Sequence, residues 1–199
     1  MLEDESKRDK KKYNLWHKDF SQFLKEGLTM DQDNKDAILR LMRYKGTFTN
    51  DEISLDEYVA KMKEDQTKIY YAVTQERQSI EDSPFYDPFK GSDVPVLILT
   101  NNVDEICFQQ IQDYKGKTFV NIENSYEEVS KDLKHTENKK DGPRVSEDDI
   151  TPFSLWLKNE LQENVNKVTI SKRLTGSPAV LFGQVSSSMR VIMQMMDQQ

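Results

Sequence analysis

The side chains that could carry chemistry in this 199-residue chain are few and widely separated. Its two histidines, His17 and His135, lie far apart, and neither has a second histidine at the helical spacing that metal sites use. The single cysteine, Cys107, has no second thiol for a disulfide, and its apolar neighbours predict a small buried side chain rather than a nucleophile. Each histidine is therefore expected to be solvated or to serve packing.

Glycines and carboxylates show no catalytic pattern either. The seven glycines are scattered, and none belongs to a phosphate-binding loop of either common type. The 35 Asp and Glu residues outnumber the 28 Lys and Arg residues, but none falls in a recognisable acid–base arrangement. The resulting net charge of −7 argues against nucleic acid as a partner, and the apolar runs are too short to cross a membrane. The residues alone favour a non-catalytic binding or scaffolding piece.

Two short apolar runs, residues 68–74 and 94–100, predict buried strands. The crossover between them is long enough to carry a helix, which favours parallel pairing. Asn102 can cap a following helix, residues 115–117 predict a turn, and residues 118–122 predict a third strand. Residues 68–130 are therefore expected to form a small three-layer αβα domain with a short parallel sheet.

Residues 1–67 predict a three-helix coil that precedes this domain. A long helix over residues 3–26 is expected to end at Gly27, and a second helix to cover residues 34–44. A third begins at Ser54, which forms a capping box with Glu57. The first helix carries one aromatic stripe: Tyr13, Trp16, Phe20, Phe23 and Leu24.

After a polar linker over residues 131–145, residues 146–199 predict a partial α+β module. Its first helix is expected to have its N-cap at Thr151 before Pro152, with a buried apolar face (Phe153, Trp156, Leu157 and Leu161). Two strands should follow, over residues 165–174 and 179–182. The module ends on an amphipathic helix with one apolar stripe, the terminal stripe: Val185, Met189, Ile192, Met193 and Met196. The fold class is thus α/β, or α+β overall.

Short motifs along the chain carry a family resemblance. The first part holds Leu39-Arg40-Leu41-Met42-Arg43-Tyr44 and Ser54-Leu55-Asp56-Glu57-Tyr58-Val59; the centre holds Ile69-Tyr70-Tyr71, Ser83-Pro84-Phe85, Val96-Leu97, Asp104-Glu105 and Tyr114-Lys115-Gly116-Lys117; the last part holds Arg173-Leu174, Ser177-Pro178-Ala179 and Met189-Arg190-Val191-Ile192-Met193. In this order they resemble the middle domain and the start of the C-terminal domain of the heat-shock protein 90 chaperones. The motif at 173–179 resembles the bacterial and organellar branches.

The resemblance implies an ATP-dependent chaperone that couples an ATPase domain to a dimerisation domain. Full-length members bind ATP and Mg in an N-terminal domain, and a catalytic-loop arginine from the larger middle subdomain completes the site. This chain is expected to lack both segments, so no cofactor and no catalysis are expected here. The implied partners are unfolded clients, co-chaperones and a second copy. The terminal stripe matches the family's client-contacting helix, with Met189 and Met193 expected to be more exposed than Ile192 and Met196. A mitochondrial or other organellar location is favoured, with the cytoplasm as the alternative.

The residues leave other functions and another role for the terminal stripe open. A stand-alone α/β enzyme would place its site at the carboxyl ends of the strands, near Thr74 and Thr100. A structural adaptor would instead present a large, fixed hydrophobic interface. The terminal stripe could also pack against its own strands or a neighbouring copy, because amphipathic helices usually face a core.

Overall fold

A six-stranded sheet lies at the centre of the computed structural model, which describes residues 1–31, 33–74, 77–125, 129, 133, 146–170, 174 and 177–182. The order across the sheet is β2-β1-β4-β3-β6-β5. The strands are β1 (Tyr44–Gly46), β2 (Thr49–Ile53), β3 (Lys68–Val73), β4 (Val96–Leu99), β5 (Asp113–Tyr114) and β6 (Lys117–Asn121).

The three central strands are parallel, which confirms the parallel pairing expected from the sequence. Tyr71 of β3 lies opposite Leu97 of β4, and Tyr70 lies opposite Val120 of β6. Antiparallel hairpins flank this core: β1 pairs with β2 and β4, and β5 pairs with β6. The sheet is therefore mixed rather than purely parallel.

Side chains alternate between the two faces of the sheet and so form two hydrophobic cores. Ile69 and Tyr71 point to one face, where the N-terminal helices and α6 (Asn102–Ile111) pack. Tyr70 and Ala72 point to the other, which packs against α5 (Arg77–Glu81), a 3₁₀ turn and Val129. This alternation follows from the two-residue period of a strand, and it confirms the three-layer α/β architecture.

The N-terminal part contains four helices: α1 (Leu2–Arg8), α2 (Lys10–Met30), α3 (Lys35–Leu41) and α4 (Leu55–Lys61). The prediction of one helix over residues 3–26 was wrong, because the chain breaks at Asp9. There the side chain accepts the backbone N–H of Lys12 at 3.0 Å, and such a local bond competes with helix continuation. The capping box of Ser54 and Glu57 is confirmed.

Gly27 does not end α2, which continues for three more residues to Met30. A Cβ added at Gly27 would lie 3.1 Å from Cδ1 of Ile38 on α3. The glycine therefore allows α2 and α3 to approach closely and does not end α2. The sequence pattern alone does not distinguish between these two roles of a glycine.

The hairpin of β1 and β2 was not predicted. It lies within the segment expected to be a helical coil, and α3 ends at Leu41 rather than continuing to residue 44. Lys45 of β1 lies opposite Ile98 of β4. This pairing partner is distant in sequence, so the local pattern around Tyr44 could not reveal it.

The C-terminal part departs from prediction in its details. Its helix α7 (Glu147–Leu161) has Ser146 as its N-cap, so the prediction of an N-cap at Thr151 was wrong, and Pro152 lies inside the helix. The described residues of the two predicted strands, including Val168, Ile170 and 179–182, have no regular secondary structure and lie outside the six-stranded sheet. Alternation indicates which side chains could share a face, but it supplies no neighbouring strand to bond with.

Candidate functional site

The predicted client-binding residues lie outside the described part of the chain. This applies to the whole terminal stripe, Val185, Met189, Ile192, Met193 and Met196, and to most of the predicted linker. The division into a coil, an αβα unit, a linker and a C-terminal module also stays a prediction. A candidate site among the described residues must therefore be sought on other surfaces.

Helix α2 carries an aromatic ladder formed by the half-buried Trp16 and the exposed Phe20 and Phe23. The rings of Trp16 and Phe20 stack at a centroid distance of 5.4 Å, and those of Phe20 and Phe23 lie 6.4 Å apart. Phe23 remains 67% exposed. Tyr13, in contrast, is buried and donates its hydroxyl hydrogen to the carbonyl of Leu41 at 2.7 Å. The aromatic stripe predicted for the first helix is thus partly buried and partly exposed.

Two further helices expose apolar side chains, and those of α7 were expected to be buried. Phe153 and Trp156 of α7 are 52% and 54% exposed, and their rings lie 5.8 Å apart. On α6, Val103 and Ile106 are exposed while Cys107 and the following turn face the core. Helical spacing predicts which residues share a face, but it does not say whether that face has a partner.

The edge where an enzyme site was considered carries a buried polar cluster. The Asn121 side chain donates to Oε1 of Glu105 at 2.9 Å, and Glu105 lies on the buried face of α6. Burial raises the pKa of the neighbouring Tyr71. Near Thr74 and Thr100, the backbone N–H of Thr74 donates to the carbonyl of Leu99. Because the cluster of Tyr71, Glu105 and Asn121 is buried, its arrangement favours a structural role over contact with a substrate.

An open cleft of about 470 Å³ lies at the opposite edge, where β3 and β4 begin. It lies between the loop after α4, which contributes Lys63 and Asp65, and the loop before β4, which contributes Asp93. Beside it, the buried hydroxyl of Tyr58 donates to the carbonyl of Pro95 at 2.7 Å and accepts the N–H of Tyr70 at 3.0 Å. These contacts fix the wall of the cleft without providing a nucleophile.

The two chemically distinctive side chains in the described part are both buried. Cys107 is 1% exposed, as predicted, and burial raises its pKa to about 11. His17 is 5% exposed, and its Nε2 accepts the backbone N–H of Arg43 at 3.2 Å. Burial, with the charges of Arg43 and Lys25, lowers the pKa of His17 to about 4. His17 therefore serves packing, whereas His135 lies outside the described residues.

Among the residues that the structure describes, no group of three or more His, Cys, Asp and Glu side chains could hold a metal ion. Within these ranges, no helix combines the length and apolar character needed to cross a bilayer.

Comparison with known proteins places the whole chain in one family. The family model described as Hsp90 protein matches residues 1–199. A chaperone protein HtpG of Methylococcus capsulatus is 34% identical over 199 residues, covering 98% of this chain and 31% of that protein. The HtpG of Nocardia farcinica is 38% identical over 181 residues, covering 89% of this chain and 27% of that protein.

A mitochondrial relative also matches nearly the whole chain. The TNF receptor-associated protein 1 homolog of Dictyostelium discoideum, described as mitochondrial, is 30% identical over 201 residues, covering 98% of this chain and 28% of that protein. The chain thus spans less than a third of the length of these relatives. With a match over its full length and this level of identity, the chain belongs to the heat-shock protein 90 family.

Proposed function

We propose that this chain is the middle-to-C-terminal segment of an ATP-dependent chaperone of the heat-shock protein 90 type. Its work is to relay motion between an ATPase domain and a dimerisation domain and to offer surface to partly folded clients. The observation that carries the proposal is the family match over residues 1–199. The buried positions of Cys107, His17 and Glu105 agree with it, because none of these groups is presented to a substrate.

The exposed apolar side chains support the client-binding part of the proposal. The aromatic ladder of α2 and the pair Phe153 and Trp156 leave large rings in contact with water. Such rings bury much apolar area when a partner covers them, and unfolded chains expose the complementary surface. We therefore assign client binding to apolar surfaces rather than to a pocket.

The terminal stripe is proposed as the main client surface. Its residues Val185, Met189, Ile192, Met193 and Met196 follow helical spacing, and four of the chain's eight methionines lie in the last eleven residues. Methionine is unbranched and polarisable, so a face rich in it can repack against partners of different shape. This property suits a surface that must accept many clients.

The cofactors and partners of the whole protein belong to the same proposal. ATP and Mg are proposed as cofactors of the full-length protein, and no residue of this chain is proposed to bind them. Homodimerisation and co-chaperone binding are proposed for the full-length protein. An organellar location is favoured, with the cytoplasm as the alternative, and imaging of the tagged full-length protein would distinguish them.

The proposal is tested by suppression of aggregation of a chemically denatured model protein diluted into the 199-residue chain. We expect the chain to slow aggregation, and we expect Met189→Asp combined with Met193→Asp to abolish most of this effect. Met30→Asp is the matched control, because Met30 is 86% exposed on α2 and is not one of the residues of the terminal stripe. No suppression by the unsubstituted chain, or equal suppression by the double variant, would contradict the proposal.

A second assay tests the absence of catalysis. The chain mixed with ATP and Mg is expected to show no hydrolysis above background. Robust turnover would show that this segment contains a complete active site and would overturn its assignment as a non-catalytic piece.

A further inference from the structure

The 3₁₀ turn Pro84–Phe89 contacts the C-terminal part of the chain at two points. Oδ2 of Asp87 accepts the backbone N–H of Ser177 at 3.1 Å, although the two residues are 90 positions apart in sequence. The ring of Phe85 meets the ring of Phe182 edge-on, with centroids 6.2 Å apart. One polar and one aromatic contact therefore join the αβα unit to the segment 177–182.

The carboxylate of Asp87 is buried and held in place by its own turn. Asp87 is 1% exposed, and its Oδ1 accepts a hydrogen bond from Nζ of Lys90 at 2.7 Å. The turn begins at Ser83, whose hydroxyl accepts the N–H of Phe85. Pro84 and Pro88 lie within the turn and restrict its backbone. An aspartate is rarely buried to this degree unless it has partners. Its burial therefore indicates that the contact with Ser177 is part of the native fold.

The 3₁₀ turn also packs against β3, one of the central strands of the sheet. The ring of Phe89 meets Tyr70 of β3 edge-on at 5.1 Å and stacks on Tyr86 at 5.8 Å. A continuous series of contacts therefore connects Ser177, through the 3₁₀ turn and Phe89, to β3.

We infer that Asp87 anchors a clasp that holds the segment 177–182 on the αβα unit. The clasp consists of the bond from Ser177 to Asp87 and the contact of Phe182 with Phe85. Hydrogen bonds from a backbone N–H to a carboxylate are stronger than those between neutral groups. Pro178 favours an extended backbone at Ser177, which leaves its N–H free to point at the carboxylate.

The clasp has a consequence for how the two parts of the chain move. It closes the long stretch between the 3₁₀ turn and Ser177 into a loop, so the segment 177–182 is held at one point on the αβα unit. In the chaperone this point would act as a joint between the middle and C-terminal domains, a role that rests on the proposed function. The clasp itself is a feature of the fold and is tested without clients or nucleotide.

The test is hydrogen exchange of the Ser177 amide in the 199-residue chain, followed by NMR. We expect this amide to be protected, and we expect Asp87→Ala to speed its exchange about tenfold or more, as loss of a charge-assisted hydrogen bond implies. Ser177→Ala is the matched control, because it keeps the backbone N–H and should leave protection unchanged. Lys90→Met removes another partner of Asp87 and should change protection less than Asp87→Ala does.

A second variant keeps the inference testable if Asp87→Ala fails to fold. Ser177→Asp places a carboxylate on the half-buried residue whose backbone N–H bonds to Asp87, and nearby like charges repel. We expect it to speed exchange at the amides of residues 177–182 while those of β3 stay protected. An unprotected Ser177 amide in the unsubstituted chain, or equal protection in Ser177→Asp and Ser177→Ala, would overturn the clasp. Failure of client binding alone would bear on the proposed function and not on the clasp.

Discussion

Nζ of Lys25 lies 2.9 Å from Oδ1 of Asp104, and this ion pair joins α2 to α6 beneath the surface. The two side chains are only 11% and 5% exposed. Burial raises the pKa of Asp104, and the charge of Lys25 opposes that shift. The sulfur of Cys107 contacts the backbone carbonyl of Lys25, so the pair marks the place where the N-terminal helices are attached to the αβα unit.

Loss of one member of this pair should destabilise the chain strongly. Lys25→Met leaves the buried carboxylate of Asp104 without its ammonium partner, which costs about 3–5 kcal/mol. Combining it with Asp104→Leu should recover much of the loss, because neither charge is then buried alone. Chemical denaturation measures both values. Lys7→Ala, which breaks the exposed pair with Glu3, is the control and should change stability little, and an equally small effect of Lys25→Met would contradict this interpretation.

His17 should make stability depend on pH between about 4 and 6.5. Because burial lowers its folded pKa to about 4 from 6.5, the unfolded chain binds the proton more readily in this range. The free energy of unfolding is therefore expected to fall by at most about 3 kcal/mol as the pH drops through this window. His17→Gln keeps an acceptor for the N–H of Arg43 but does not titrate, so its curve should be flatter there. Parallel curves for the two proteins would rule out this role of His17.

Cys107 should be unreactive in the folded chain. Burial removes access and raises the thiol pKa to about 11, so little thiolate is present at neutral pH. A chromogenic disulfide reagent at neutral pH should label the chain only at the rate of unfolding, and it should label it at once in denaturant. Rapid labelling under native conditions would show that α6 opens or that the thiol is exposed.

The aromatic ladder should contribute little to stability although its residues are large. Phe23→Ala removes a ring that is 67% exposed and should change the free energy of unfolding by about 0.5 kcal/mol or less. Phe108→Ala is the comparison in the core, where the 1% exposed ring should cost about 3–5 kcal/mol. Phe23→Ala should also lower binding of an apolar fluorescent dye. Comparable destabilisation by both variants would mean that the ladder is covered in the native chain.

The sequence predicted the features that depend on local pattern and missed those that depend on distant partners. The strands around Tyr71 and Leu97 could be predicted because buried parallel strands are continuous apolar runs. The hairpin at Tyr44 could not, since its stability comes from pairing with Ile98 and its neighbours.

The same distinction applies to the candidate surfaces. Helical spacing predicted that Phe20 and Phe23 share one face of the helix, but it did not reveal that this face is exposed to solvent. The contact between Asp87 and Ser177 leaves no pattern in the sequence, because one partner is a backbone N–H group that any residue other than proline supplies.

We propose that this chain binds non-native proteins through the terminal stripe. Its most direct test is a titration of a fluorescently labelled, permanently unfolded model protein with the 199-residue chain, followed by anisotropy. We predict saturable binding that is at least about tenfold weaker for Met189→Asp combined with Met193→Asp, with unfolding of the αβα unit unchanged, as expected when apolar contact residues acquire charge. No binding by the unsubstituted chain, or equal affinity for both proteins, would contradict the claim.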